Sequence, residues 1–120
     1  MKEIGSRNVE CVGILCLNTE QRVLNYSTVC IGSIDSVNGA TAEIFKLVLL
    51  SNASKIYVAH NHPSGIMKPT KEDILMTKNI GSVAHLFGVE LLDSLIVGNL
   101  GEFCSIRKAI MEGDLNGAGI

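Results

Sequence analysis

Tryptophan is absent from this 120-residue chain, and aromatic residues make up only 4% of it. Any core must be filled by Ile, Leu, Val and Met rather than by large rings. A basic surplus is also missing: 10 Lys and Arg stand against 12 Asp and Glu, a net charge of −2. A domain that grips nucleic acid through its phosphates carries excess positive charge and a basic face. DNA binding by this domain alone is therefore not expected. No apolar run approaches the roughly 20 residues of a membrane-spanning helix. Met1-Lys2-Glu3-Ile4-Gly5 has no apolar leader region either. These absences point to a soluble, cytoplasmic chain with no membrane partner.

The four cysteines, Cys11, Cys16, Cys30 and Cys104, contain no C-x-x-C pair, which argues against a structural zinc knuckle. All four sit among apolar neighbours. Buried free thiols are favoured there over disulfides or metal ligands, as in a reducing compartment. What is present is ordinary for a globular fold: 47% apolar and 18% charged residues. The length suits a single domain spanning residues 1–120, with its core at about 9–112 and enough chain to bury it without staples.

Val9 to Leu17 reads as a β-strand. Arg22 to Tyr26 and Thr28 to Ile31 read as a second, with a break near Ser27. Gly32 to Gly39 reads as a loop. Thr41 opens a helix that carries Ile44, Phe45, Leu47, Val48 and Leu50 and ends near Asn52. Lys55 to His60 is a short apolar strand. Thr70 is a helix N-cap with Asp73 three positions on, a capping-box spacing. That helix runs through Leu86 and Phe87 to Gly88, with Gly81 a weakness or a point of close packing. Leu91 to Val97 and Glu102 to Ser105 are further strands. Ile106 to Met111 forms a terminal helical turn, and Asp114 to Ile120 a frayed tail. The order β-β-α-β-α-β-β implies an α/β fold, a mixed sheet flanked by helices.

One stretch carries chemistry. His60-Asn61-His62-Pro63-Ser64-Gly65 places two imidazoles at i and i+2, on the same face of an extended segment. The chain turns at Pro63 and Gly65, and a carboxylate, Asp73, returns eleven residues after His62. Two imidazoles and one carboxylate are the ligand count of a catalytic zinc site with an open position. Capping explains Thr70 and Asp73 without function. It leaves the histidine pair at a strand end unexplained.

His60-Asn61-His62-Pro63, Thr70 and Asp73 resemble the JAMM (MPN+) metalloprotease signature, H-x-H-P followed after six residues by S/T-x-x-D. The longer HNHPSG string resembles the bacterial RadC family in particular. So do Ala42-Glu43-Ile44-Phe45-Lys46, Asn52-Ala53-Ser54 and Leu92-Asp93-Ser94-Leu95-Ile96-Val97-Gly98. The resemblance covers roughly residues 9 to 105. It implies a JAMM/MPN fold of cytidine-deaminase-like three-layer architecture, with Zn2+ held by His60, His62 and Asp73. It also implies an upstream glutamate that activates water. Glu10 is well placed for this role, and Glu43 is the runner-up. Thr70, where the family usually has serine, would donate to the oxyanion, while Ser64 shapes the turn. Two positions depart from the family pattern. Thr41-Ala42 stands where Pro-Arg is usual, and Ser94 where a histidine follows the aspartate.

The implied function is hydrolysis of a peptide or isopeptide bond in a protein or peptide conjugate. A second reading is the DNA-repair accessory role attached to the RadC name. The helix-hairpin-helix-like segment usual before such domains is missing from this sequence, and that weighs against DNA binding. A third is an interaction domain that keeps the ligands for stability. Zinc deaminase chemistry is set aside, because neither H-x-E nor P-C-x-x-C is present. The sheet edge and glycine-rich tail are compatible with a dimer.

Overall fold

The computed structural model describes residues 10–30 and 37–112. Its elements are β1 (Cys11–Leu17), β2 (Val23–Cys30), α1 (Val37–Leu50), β3 (Lys55–Asn61), α2 (Lys71–Leu86), β4 (Glu90–Val97), β5 (Phe103–Ser105) and α3 (Ile106–Met111). The strands form one sheet in the order β2-β1-β3-β4-β5. β1 runs antiparallel to β2 and β3, β3 parallel to β4, and β4 antiparallel to β5. The parallel β3–β4 pair requires a crossover, and α2 supplies it. This is the mixed α/β sheet with flanking helices expected from the sequence, compatible with a JAB/MPN fold.

β1 and β3 lie inside the sheet and are covered on both faces, so their apolar residues run almost without alternation. Val12, Ile14 and Cys16 of β1 and Ile56 and Val58 of β3 face the helices. They pack with Ile44, Phe45 and Val48 of α1 and with Met76, Ile80 and Ala84 of α2. Beside them, Ile74 of α2, Ile96 of β4 and Ile106 of α3 form an adjoining cluster. Strand parity puts His60 on the same face, at the end of this core. Cys11, Ala59 and Val97 cluster on the opposite face.

Three local expectations are corrected. β2 is unbroken at Ser27, which pairs with Ile14 in a continuous ladder; sheet pairing overrides the turn preference of serine. α1 begins at Val37 rather than Thr41, taking in Asn38-Gly39. The packed α1 core outweighs the turn signal of that dipeptide. Cys11 is disulfide-bonded, against the expectation of a free thiol, and the register sets it opposite Cys30. Cys16 and Cys104 are free, and burial pushes the Cys16 thiol up against a hydrogen bond from Ser51 that lowers it. The expectations for Val9, Ile31, Gly32 to Ser36 and Asp114 to Ile120 fall outside the described residues. Asn52 ends α1 in the left-handed region, at φ 54°, which asparagine tolerates better than most residues. Among the described residues, no helix is long and apolar enough to cross a membrane.

Candidate metal centre

β3 delivers His60, 1% exposed, and then His62 after one intervening residue. The chain reverses at once: the Gly65 amide donates to the His62 carbonyl at 2.8 Å, with Gly65 at φ 82°. Ser64 Oγ accepts from the Ile66 amide at 3.4 Å, within the same turn. The short return leads into Thr70, the N-cap of α2. Its side chain accepts from the Asp73 amide at 3.1 Å, while Asp73 Oδ2 accepts from the Thr70 amide at 2.7 Å. The capping box expected from the sequence is therefore complete, and it fixes the Asp73 carboxylate at the helix start, facing the strand end.

There it meets both imidazoles. His60 Nε2 lies 2.8 Å from Asp73 Oδ1, and His62 Nε2 lies 2.9 Å from Asp73 Oδ2. One donor atom from each of His60, His62 and Asp73 falls within 4.8 Å of the other two. Tetrahedral bonds of 2.0–2.1 Å would put ligand atoms roughly 3.3 Å apart, so the cluster has the dimensions for one ion. The hydrogen bonding supports this. His62 Nδ1 lies 2.7 Å from the Ile66 carbonyl oxygen. A carbonyl only accepts, so Nδ1 carries a proton, and the tautomer with its single proton there leaves Nε2 free to ligate. A cation between that nitrogen and the carboxylate oxygen would satisfy both acceptors. Burial alone would raise the Asp73 carboxyl. Hydrogen bonds from His60 and the Thr70 amide, with electrostatic attraction to the two imidazoles, outweigh it and hold the group well below the usual carboxylate range.

The remaining sequence-nominated residues divide. Glu10 immediately precedes β1 and is exposed. The antiparallel register ends at the pair Val12 and His60, two residues from Glu10 on one strand and from His62 on the other. Its carboxylate is not one of the three converging groups. Glu43 is exposed on α1, pairs with Lys46 at 3.3 Å and is not among the three converging donors. Of the positions that depart from the family pattern, Ala42 is exposed and Ser94 fully buried. Asp93 accepts from Ser105 Oγ at 2.6 Å and from the Ser94 and Arg107 amides, tying β4 to the start of α3. Asn61 is a residue that sequence reasoning passed over. Fully buried between the two histidines, it accepts the Cys11 amide on Oδ1 at 2.7 Å and so extends the β1–β3 contact toward Glu10. A polar residue flanked by two candidate ligands on a buried strand was the available signal.

Residues 1–111 match the family model described as the RadC-like JAB domain. The chain belongs to the RadC-like JAB domain family. Among RadC-like relatives, a UPF0758 protein of Chloroflexus aurantiacus is 39% identical over 88% of this chain and 46% of its own length. One from Moorella thermoacetica is 40% identical over 77% of this chain and 40% of its own. One from Clostridium acetobutylicum is 35% identical over 90% and 47%. The chain thus spans a little under half the length of these RadC-like relatives.

Proposed function

We propose that this RadC-like domain is a zinc-dependent hydrolase that cleaves peptide or isopeptide bonds. The observation that carries the reading is the convergence of His60 Nε2, His62 Nε2 and the Asp73 carboxylate beside an exposed loop. A three-donor set of two imidazoles and one carboxylate suits Zn2+ and leaves a coordination position for water or substrate. When bound, the ion supplies Lewis-acid polarisation and brings the pKa of a water toward about 7.

The chain's own groups supply the rest. His62 is held in its ligand tautomer by the Ile66 carbonyl. Glu10, two residues before the Val12 that pairs with His60, takes a proton from water and returns it to the leaving amine. The Thr70 oxygen already accepts from the Asp73 amide, which leaves its own O–H proton free to point at the oxyanion that forms on the scissile carbonyl. A protein or peptide conjugate is the corresponding substrate class.

The test is Glu10→Gln, measured against a panel of peptide and isopeptide conjugates on which the wild-type chain turns over. Zinc stoichiometry should stay at the wild-type value while turnover falls by roughly 100-fold or more. A variant of full activity removes Glu10 from the mechanism.

A further inference from the structure

Among the described residues, three buried polar side-chain atoms have no hydrogen-bond partner among protein groups: His60 Nδ1, Thr77 Oγ1 and Ser94 Oγ. They sit on three different elements, which pack against one another. In the parallel β3–β4 pair, Val58 is opposite Ser94 and His60 opposite Ile96. Ser94 is therefore the diagonal neighbour of His60 on the same sheet face, with Cβ atoms on the order of 7 Å apart. α2 crosses β4 along its residues 74, 77 and 81. Ile74 packs on Ile96 at one end. At the other, a Cβ on Gly81 would meet Leu91 Cδ2 at 3.9 Å. Thr77 lies one turn from each, over the part of β4 that holds Ser94.

The two histidines differ in how their outer nitrogen is treated. His62 Nδ1 has the Ile66 carbonyl. A metal-ligating histidine almost always donates its other ring N–H to a carboxylate, a carbonyl or water. His60, 1% exposed, has no such partner on Nδ1 among the described residues. A helical threonine commonly turns its hydroxyl to the carbonyl three or four residues back, but that of Thr77 does not. An imidazole nitrogen and two hydroxyls, none bonded directly to another, make the three-partner set of one buried water, which can donate or accept at each.

We propose that Thr77 and Ser94 hold a single buried water against His60 Nδ1, and through it keep His60 Nε2 turned to the ion. Thr77 and Ser94 are then positioning residues for a metal ligand. The effect on the ion rests on the metal reading above, whereas the water does not.

Two measurements test this on the full chain. A high-resolution crystal structure should show one water within hydrogen-bond distance of all three atoms. Thr77→Val/Ser94→Ala should weaken zinc binding by roughly 10- to 100-fold, read by chelator competition at a temperature where the metal-free variant is fully folded. Thr77→Ser should bind zinc as wild type does. Absence of the water, or wild-type zinc affinity in the double variant, overturns the proposal. If the double variant does not fold, Thr77→Val alone carries the affinity readout. A wild-type chain that binds no zinc but shows the water refutes the metal reading and leaves the water site standing.

Discussion

Asp73 gives one carboxylate to two tasks, and substitution can separate them. Its oxygens close the α2 capping box with Thr70 and face both imidazoles. In Asp73→Asn the amide oxygen can still accept the Thr70 N–H, so the helix start survives. The loss of charge at the helix N-terminus costs at most about 1 kcal/mol. One of three zinc donors is gone, however. Structural zinc sites with four ligands bind with about 10–16 kcal/mol, or about 2.5–4 kcal/mol per ligand, which corresponds to roughly 60- to 700-fold in affinity. Asp73→Ala loses the cap acceptor as well, about 1 kcal/mol, and leaves the buried His60 Nε2 without its partner, about 1–3 kcal/mol. Its metal-free melting temperature should drop by roughly 10–20 °C, against a few degrees for the asparagine variant. Chelator competition and thermal melts in chelator measure the two effects independently. If Asp73→Asn holds zinc at the wild-type affinity, Asp73 is a helix cap only and the three-donor site is wrong.

Other outcomes follow from the same geometry. The folded Asp73 carboxyl lies below its unfolded value of about 3.9. Its stabilising contribution is therefore complete above about pH 4 and is lost as pH falls toward the folded pKa; acid titrations should show a shallower fall for Asp73→Asn than for wild type. Gly81→Ala places a methyl at ordinary contact distance from Leu91 inside α2, and should stabilise the fold by about 0.5–1 kcal/mol in denaturant melts. Asn61→Ala leaves the buried Cys11 amide without its acceptor and should cost about 1–3 kcal/mol, with turnover falling more than zinc affinity as Glu10 loses its register.

The parts of the site that sequence made legible are those specified over a few residues. The His60/His62 pair follows from the two-residue period of a strand, and the Thr70/Asp73 box from a four-residue hydrogen-bond pattern. Element order was readable for the same reason. Strand pairing was not. The meeting of Val12 with His60 at the Glu10 end of β1, the tie from Asn61 to Cys11 and the position of Cys11 opposite Cys30 all depend on which residues meet across the sheet. The continuity of β2 past Ser27 is likewise set by its partner strand. Thr77 and Ser94 look like a helical surface residue and a strand serine until α2 is laid over β4.

β3 occupies the middle of the five strands, with a hydrogen-bonded neighbour on either side, whereas Asp73 sits three residues into a helix. Interior strands open only with the whole fold, and helix ends open locally. The donor set therefore joins a well-protected strand to a helix end that opens more readily. Amide exchange at His60 and Asn61 should track global unfolding, while that at Lys71 to Asp73 should report fraying. An ion bridging the two would slow exchange at the helix start far more than in the strand, which makes the first turn of α2 the sensitive reporter of occupancy.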